Sequence, residues 1–296
     1  MKNLNFALIG AGKFGKNYLR LLQNTPGITL QAVITKDSTR PKDLPLSIEH
    51  SANLEQVLKN PEIDCVVIVT PPATHFKLAK AALVTGKHVL LEKPMTVNLK
   101  EAGELKKIVE NSGKVFMVGF QYLFNNYIQY LKKEIEIGSF GKIIKINSEH
   151  FQSPPRDDVN AFWDAAPHPL SIFQFIFNPK KIIKVSGEQK NLESAGLKDY
   201  AQATVQFDRG PLLNITTSWP GKQKVRKLTV QGEKITAVLD ETKTDGKLTL
   251  TDTAGNITTP KITAQEPLQA EMEHFIYSCS SFTPANLELC KLFKSD

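Results

Sequence analysis

The sequence predicts an α/β protein with two domains, a doubly wound parallel sheet followed by an α/β domain with a largely antiparallel open sheet. Strand-like and helix-like segments alternate through the first domain, residues 1–121, which is the pattern of a parallel sheet. The continuous apolar runs at 64–70 and 88–91 fit strands that are buried on both faces. In the second domain, residues 122–296, short alternating segments separated by close turns indicate antiparallel neighbours.

Cap and turn residues mark the ends of the elements in the first domain. Ser51 or Asn53 can cap a short helix that ends near residue 59, and Gly86 and Gly113 follow two longer helical segments. The remaining predictions are strands at 4–9, 28–35, 64–70, 88–91 and 114–118, and helices at 14–23, 73–85 and 98–111.

The second domain contains a run of strands between helical segments. Turns at 208–210, 231–233 and 245–246 separate several of the strands. Strands are predicted at 142–151, 182–188, 200–207, 212–218, 225–231, 235–239 and 247–250, and helices at 125–137, 167–177, 265–281 and 284–293.

The composition is that of an ordinary globular protein. With 41% apolar and 23% charged residues, a chain of 296 residues can bury a large core. No apolar run is long enough to cross a membrane, and the first residues lack the pattern of a signal peptide. We therefore expect a cytoplasmic protein with no membrane partner.

The charge and the cysteines narrow the classes of partner further. The net charge is +7, but the lysines are spread along the chain and form no nucleic-acid-binding motif. A positive field favours an anionic cofactor or substrate, and no nucleic acid partner is expected. Cys65, Cys279 and Cys290 have no metal-ligand spacing, so we expect buried reduced thiols and no metal.

A glycine-rich turn separates the first strand from the first helix. Gly10 suits a tight turn, Gly12 allows a pyrophosphate to approach the backbone, and Gly15 allows the helix to pack on the strand. The first helix then offers unpaired N–H groups to phosphates. The alternative is a plain tight turn, but the strand and helix around it favour a dinucleotide site. The residues of this site are Gly10, Ala11, Gly12, Lys13, Phe14 and Gly15.

Two further segments follow buried strands, at the edge where ligands bind to a doubly wound sheet. They are Thr70-Pro71-Pro72-Ala-Thr-His75 and Glu92-Lys93-Pro94. Together with the glycine turn, with Gly86-Lys-His-Val-Leu-Leu-Glu-Lys-Pro94 and with Trp163-Asp164-Ala-Ala-Pro-His168, they resemble the signatures of the Gfo/Idh/MocA family of NAD(P)-dependent oxidoreductases in order and spacing. The resemblance covers essentially the whole chain.

The resemblance implies a Rossmann domain, a second α/β domain and an activity. Members of the family transfer hydride between the nicotinamide of a cofactor and a secondary alcohol or ketone, often on a sugar or a sugar derivative such as a nucleotide sugar. The open sheet of the second domain often forms subunit contacts in this family. The expected assembly is a homodimer or homotetramer that acts on a small-molecule substrate.

The resemblance assigns catalytic roles to three residues. Lys93 would bind a substrate hydroxyl and favour its alkoxide, whereas the alternative is a solvated surface lysine. His168 would be the general base in oxidation and the acid in reduction, and Asp164 would hold substrate or tune His168. Because Asp164 and His168 are four apart, they could share one helical face or a turn that enters it. Without the resemblance, a helix cap and a packed histidine explain the same pair.

The remaining site residues are assigned to cofactor or substrate. Glu92 would orient Lys93 or bind cofactor, His75 would have a cofactor-side or structural role, and Gln121 is placed on the cofactor side with Thr70, Pro71 and Pro72. Arg156 and Trp163 would line the substrate pocket. For Phe151, core packing is an equal alternative.

The second strand bears on the choice of cofactor. NAD enzymes place an acidic residue about 20 residues past the glycines, and here that position is Thr35, followed by Lys36 with Arg40 nearby. A hydroxyl with cations suits a 2′-phosphate, so NADP(H) is favoured. Asp37 is the counter-evidence, and NAD(H) is possible.

Two departures from the family pattern leave the substrate open. Leu123 stands where the family commonly has arginine, and Pro169 follows His168 where many members have aspartate. The alternatives are reduction of a biliverdin-type or dihydrodiol-type substrate, an NAD-dependent glycosidase, and a cofactor-binding sensor without turnover. The presence of Lys93, Asp164 and His168 argues against the sensor, which needs only the phosphate site.

Overall fold

The computed structural model describes residues 3–36, 40–42, 44–152, 155–193, 196–220 and 223–281. Its strands are β1 (Leu4–Ile9), β2 (Ile28–Ile34), β3 (Glu49–Ser51), β4 (Cys65–Ile68), β5 (His88–Glu92), β6 (Phe116–Gly119), β7 (Ile143–Phe151), β8 (Ile182–Lys190), β9 (Tyr200–Phe207), β10 (Leu212–Ser218), β11 (Val225–Gly232), β12 (Ile235–Asp240), β13 (Leu248–Asp252) and β14 (Ile257–Thr258). Its α-helices are α1 (Gly15–Asn24), α2 (Leu54–Lys59), α3 (His75–Val84), α4 (Leu99–Ser112), α5 (Asn126–Glu136), α6 (Ala161–Ala165), α7 (Pro167–Phe177) and α8 (Pro267–Ser281). Short 3-10 helices cover Pro72–Thr74 and Gln121–Phe124.

The chain forms two compact units. The first runs to Gly119 and includes the helix from Leu268 onward, and the second runs from Phe120 to Pro267. From the sequence, we predicted that this helix belongs to the second domain and that the domain boundary follows residue 121. The structure differs because α8 packs on the first unit, where the ring of Phe275 contacts that of Phe6 edge-on at 6.1 Å.

The first unit is built on a parallel sheet. Among the described residues its strand order is β3-β2-β1-β4-β5-β6, and each neighbouring pair is parallel. The chain adds strands on one side of β1 and then on the other, which confirms the predicted doubly wound sheet. Because parallel strands end at one edge, the loops that follow β1, β4 and β5 emerge side by side.

Helix α1, which follows the loop after β1, packs one face in the core of this unit. Its apolar residues recur at helical spacing, so one face packs on the sheet while the other meets solvent. Burial of each such side chain stabilises the fold by roughly 1.5–3 kcal/mol. The buried side chains of α1 are Tyr18, Leu19, Leu21 and Leu22.

The second unit is built on a mixed sheet with strand order β14-β13-β12-β11-β7-β10-β9-β8. The pair β7 and β10 is parallel, and the other neighbouring pairs are antiparallel, as predicted for a largely antiparallel sheet. Helices α5 and α7 contribute Ile128, Leu131, Ile172 and Phe173 to a core with one face of the sheet.

The opposite face of this sheet is polar. Thr204 donates to Asn214, and Asn214 donates to Asn147, each at 2.8 Å, so hydrogen-bonded side chains cross three neighbouring strands. At the sheet edge, β8 is exposed along its whole length. In β9, β10 and β11 buried and less buried residues alternate, which explains why these three strands were recognisable from sequence.

A few local elements were not predicted. Strands β3 and β14 are too short to give a periodic signal, and α6 is a five-residue helix capped by Asn160. The predicted helix at 284–293, together with Cys290, lies outside the described residues, as does Asp37. Cys65 and Cys279 are buried free thiols, as expected. Within the described ranges, no helix has the length and apolar character needed to span a bilayer.

Candidate cofactor and substrate sites

The glycine turn after β1 is shaped by close backbone contacts. Gly10 has φ +96°, and a Cβ atom there would lie 2.3 Å from the carbonyl oxygen of Val69. A Cβ atom on Gly15 would lie 2.2 Å from the oxygen of Gly10. By contrast, a Cβ atom on Gly12 would meet no described atom within 4 Å. Gly10 and Gly15 are therefore needed by the fold, and Gly12 leaves the surface of the turn open.

The N-terminus of α1 suits an anion. Phe14 at the N-cap makes no side-chain capping bond, and the first turn contains no acidic residue. The first N–H groups of the helix and its positive end therefore face the open turn. Lys13 and Phe14 are exposed there, and Ala11 is half-buried. These features fit the pyrophosphate of a dinucleotide.

At the end of β2, Thr35 contacts a residue that the sequence did not point to. The Thr35 hydroxyl lies 2.7 Å from Nε2 of His50, which is in β3. Lys36 is exposed beside it. Arg40 instead donates to the carbonyl oxygens of Pro45 and Ile48, so its guanidinium is engaged by its own loop. Thr35, Lys36 and His50 therefore lie together at the end of β2, and the cofactor role of Thr35 and Lys36 stays a prediction.

His75 joins the loops that follow β4 and β5. It is 1% exposed, with Nε2 2.8 Å from the oxygen of Thr70 and Nδ1 2.7 Å from the oxygen of Pro94. The burial of His75 favours the structural role among the two roles left open from sequence. Pro71 and Pro72 begin the 3-10 helix that leads to it.

Lys93 follows β5 directly and is half-buried. Its backbone N–H donates to Oε2 of Glu92 at 3.0 Å. The other oxygen of Glu92 accepts a hydrogen bond from the hydroxyl of Tyr18 at 2.9 Å. Glu92 is 8% exposed, and its role in orienting Lys93 stays a prediction.

In the second unit, Asp164 and His168 lie in two consecutive helices rather than on one. Asp164 is in α6 and His168 is in α7, with Ala166 between the two helices. The two side chains are 5% and 7% exposed. This is the turn arrangement among the two possibilities left open, and it arises because Pro167 starts a new helix.

The carboxylate of Asp164 is held by two donors. Gln152 donates from Nε2 to Oδ2 at 2.7 Å, and Arg156 donates to Oδ1 at 3.2 Å. Arg156 also makes a two-point contact with Asp158. Arg156, predicted to contact substrate, is therefore engaged with two carboxylates.

The ring of His168 lies among other aromatic rings. The ring centroids of Tyr122 and His168 are 4.6 Å apart. The ring of His150 stacks on that of His168, with the centroids 6.1 Å apart and the ring planes at 18°. These three side chains line a cleft with Pro169, Arg226 and Glu241. Pro169, which departs from the family pattern, is therefore part of the lining of this cleft.

Gln152 connects several of these groups. Its Nε2 faces a carboxylate and must donate, so its Oε1 is the acceptor for Arg226 Nη2 at 3.1 Å. The same oxygen lies 3.3 Å from His150 Nε2, which assigns the proton of His150 to that nitrogen. The spacing of His150 and Gln152 along the end of β7 was the available sequence signal. The pairing of Arg226 with His150 required the sheet register.

Glu241 is a half-buried acid that lines this cleft. Asn125 donates to its Oε1 at 2.8 Å. Burial raises the pKa of the Glu241 carboxyl, against the lowering effect of its hydrogen bond from Tyr122 and of the Arg226 charge. Burial likewise raises the pKa of Tyr122. The cleft thus contains an arginine and an acid whose ionisation is disfavoured.

Several predicted residues do not line the cleft beside His168. Leu123 is 4% exposed and packs in the core, and Trp163 is 44% exposed on α6. Gln121, placed on the cofactor side from sequence, belongs to the second unit and lines a neighbouring cleft with Arg226. Within the described ranges, no group of three or more His, Cys, Asp or Glu side chains could hold a metal ion.

Two family models match the chain. The model described as "Oxidoreductase family, NAD-binding Rossmann fold" matches residues 4–120, and that of the GFO/IDH/MocA C-terminal domain matches residues 128–238. Among curated relatives, the oxidoreductase YdgJ of Escherichia coli is 33% identical over 57% of this chain and 52% of its own length. The scyllo-inositol 2-dehydrogenase (NAD(+)) of Bacillus subtilis is 30% identical over 72% of this chain and 66% of its own length. The chain thus spans about half to two thirds of these two relatives.

Solved structures share the fold at lower identity. UDP-N-acetylglucosamine 3-dehydrogenase GnnA from Acidithiobacillus ferrooxidans aligns with a TM-score of 0.84 and 22% identity, over 99% of this chain and 95% of its own. Myo-inositol 2-dehydrogenase from Lactobacillus plantarum also has a TM-score of 0.84, with 19% identity over 99% and 94%. Because the two family models together match most of the sequence, the chain belongs to the Gfo/Idh/MocA family of oxidoreductases.

Proposed function

We propose that this oxidoreductase transfers hydride between a nicotinamide cofactor and a secondary alcohol or ketone carbon of a sugar or sugar derivative. The observation that carries the proposal is the half-buried Lys93, which follows β5 and is held at its backbone by Glu92. The names of relatives that act on inositols and on UDP-N-acetylglucosamine support the substrate class.

The bound cofactor would accept or supply the hydride at C4 of its ring. Gly12 and the first N–H groups of α1 would hold its pyrophosphate, since the turn is open there and the helix lacks a capping side chain. Lys93 donates a hydrogen bond to the reacting oxygen and favours the alkoxide.

We assign the proton transfer to His168. His168 takes the proton of the substrate hydroxyl in oxidation and returns one to the carbonyl oxygen in reduction. Asp164 contributes its negative charge, which Gln152 and Arg156 hold in a fixed orientation. The rings of Tyr122 and His150 contact the ring of His168.

We further propose that NADP(H) is preferred over NAD(H). The Lys36 ammonium, beside the hydrogen-bonded pair of Thr35 and His50, offers donors to a 2′-phosphate, and a carboxylate at position 35 would repel it. Arg40 does not enter this proposal, because carbonyl oxygens of its own loop engage its guanidinium.

A binding and turnover screen tests the function. NADPH and NADH are titrated by fluorescence and then assayed with inositols, free sugars, nucleotide sugars, dihydrodiols and biliverdin. Turnover of a sugar or a sugar derivative supports the proposal. Turnover restricted to pigment or dihydrodiol, glycoside cleavage without net cofactor use, or binding without turnover would each replace it with the corresponding rival. Absence of binding to both cofactors would refute it.

The assembly proposed is a homodimer or homotetramer through the second sheet. Its polar face presents Asn147, Thr204 and Asn214 in a hydrogen-bonded row, and complementary side-chain donors and acceptors suit an isologous contact. Light scattering after gel filtration measures the mass, and lysines introduced at Thr204 and Thr229 should dissociate the oligomer. A monomeric wild type would contradict this assembly. A cytoplasmic location and the absence of nucleic acid and membrane partners stay predictions.

A further inference from the structure

The hydroxyl of Tyr18 lies between two carboxyl groups in the interior of the first unit. Its oxygen is 2.9 Å from Oε1 of Glu92 and 2.9 Å from Oε1 of Glu271. Tyr18 and Glu271 are fully buried, and Glu92 is 8% exposed. Tyr18 comes from α1, Glu92 from the end of β5 and Glu271 from α8, so the cluster joins the helix that follows the glycine turn to the residue that precedes Lys93.

The hydrogen bonds of this cluster require a particular number of protons, and that number shows whether both carboxyl groups can be ionised. A tyrosine has one hydroxyl proton and can donate it to one of the two carboxyl oxygens. The second oxygen can remain at 2.9 Å only as a donor, because two unprotonated oxygens at this distance repel. One of the two carboxyl groups therefore carries a proton.

The other contacts identify which acid is protonated. Oε2 of Glu92 accepts a hydrogen bond from the backbone N–H of Lys93, which suits a carboxylate. Oε2 of Glu271 is buried and has no hydrogen-bond partner among the described residues. A buried charge without partners is far more costly than a neutral carbonyl oxygen in the same place. The proton therefore resides on Glu271.

We propose that Glu271 is a positioning residue that stays a neutral carboxylic acid at neutral pH and donates to Tyr18, which donates to Glu92. This directed chain of hydrogen bonds holds Glu92 as a carboxylate and orients it against the backbone of Lys93. The role of Lys93 in turnover rests on the proposed function, whereas the protonation of Glu271 does not.

Burial and charge around Glu271 agree with this assignment. Burial raises the pKa of Glu271, and the charge of Glu92 raises it further. The titratable groups that face it from packed elements are Tyr18 of α1 and Glu92 of β5, while α8 itself carries His274 and Cys279, the latter beside Cys65 of β4.

Gly119 closes the cluster from β6. A Cβ atom there would lie 3.1 Å from the hydroxyl of Tyr18 and 3.2 Å from Oε1 of Glu92. The three oxygens are therefore confined by backbone as well as by their own hydrogen bonds.

Infrared spectroscopy of protein with isotope-labelled glutamate tests the protonation directly. At neutral pH the difference spectrum between the wild type and Glu271→Gln should contain the C=O stretch of a protonated carboxyl. A difference spectrum without this band would overturn the proposal. This readout needs neither substrate nor turnover, so a wrong proposed function would leave it intact.

The pH dependence of unfolding gives a second readout. Since the folded pKa of Glu271 is raised above its unfolded value, the native state holds more protons between the two values. Stability from this group is present below the unfolded pKa and is lost as pH rises. The unfolding constant of the wild type relative to Glu271→Gln should rise by up to about tenfold per pH unit through that window. Parallel profiles would refute a neutral Glu271.

Turnover tests the positioning role. Glu271→Gln keeps a donor toward Tyr18, and Glu271→Leu removes it, so kcat should be at least about tenfold higher in the first variant than in the second. The KM for substrate should differ less between the two. Tyr18→Phe should resemble Glu271→Leu. Circular dichroism checks that both Glu271 variants are folded. If their kcat values are then equal, the hydrogen bonds from Glu271 through Tyr18 to Glu92 do not position Lys93.

Discussion

Gln152 binds Asp164 through a 2.7 Å hydrogen bond from its amide nitrogen, and its amide oxygen accepts from Arg226. One side chain thus orients an acid on α6 and an arginine on β11. Because Asp164 is 5% exposed, loss of a donor leaves part of its charge poorly solvated.

We expect Gln152→Leu to lower kcat/KM by about tenfold to a hundredfold, because each lost hydrogen bond to a charged group is worth about 1.5–3 kcal/mol. Steady-state kinetics with the substrate found in the screen measures this change. The control Gln269→Leu removes an exposed glutamine on α8 and should leave kcat/KM unchanged. Equal activity of the two variants would show that Gln152 does not support the site.

Lys93→Ala and His168→Ala should keep cofactor affinity and lose turnover by about a hundredfold or more, because each removes a group that acts on the reacting oxygen. Fluorescence titration with NADPH measures the first quantity, and initial rates measure the second. The exposed Lys59→Ala is the matched control. If both site variants remain fully active, the catalytic assignment is wrong.

Two substitutions in the glycine turn test protein stability and cofactor binding separately. Gly12→Ala meets no described atom within 4 Å and should leave Tm unchanged, while the added methyl group obstructs the pyrophosphate. Gly15→Ala places a Cβ 2.2 Å from the oxygen of Gly10 and should destabilise the protein by about 1–3 kcal/mol.

Thermal unfolding and NADPH titration on both variants measure these effects. Tight NADPH binding by Gly12→Ala would contradict a pyrophosphate at this turn. An unchanged Tm for Gly15→Ala would contradict the packing described for α1.

Thr35→Asp should shift preference toward NADH, because a carboxylate repels a 2′-phosphate and accepts hydrogen bonds from a ribose hydroxyl. The ratio of the Kd for NADH to the Kd for NADPH should fall by about tenfold or more. Thr29→Asp, at the other end of β2, is the control. An unchanged ratio would mean that the 2′-phosphate is recognised elsewhere.

His88 makes stability depend on acid pH. Burial and the Lys114 charge lower the pKa of His88 to about 4, and its Nδ1 accepts a hydrogen bond from the N–H of Val115. The unfolded chain therefore binds the proton first as pH falls. Stability from the neutral ring is complete above the unfolded pKa near 6.5 and is lost toward pH 4, by up to about 3 kcal/mol.

Urea unfolding between pH 7 and pH 4 measures this loss. His88→Asn keeps an acceptor and should give a flatter pH profile than the wild type. Identical slopes for the two proteins would contradict a buried neutral His88.

Local patterns were enough to predict the first unit and its glycine turn. The turn lies within six consecutive residues, and the apolar runs of β4 and β5 record burial on both faces, so neighbouring residues carry the whole signal. For the same reason, Lys93 could be placed at the end of a buried strand. The resemblance to the family then assigned chemistry to Lys93, Asp164 and His168, which spacing alone left open.

Contacts between distant residues were decided by the tertiary structure. Tyr18 and Glu271 are 253 positions apart, and Gln152 and Arg226 are 74 apart, so no periodic pattern relates the members of either pair. The sequence predicted the helix α8 but gave no indication that it packs on the first unit. A periodic pattern identifies an element and its buried face, whereas the partner of that face depends on how the whole chain packs. The proposed neutral state of Glu271 and the orientation of Asp164 therefore depend on the fold.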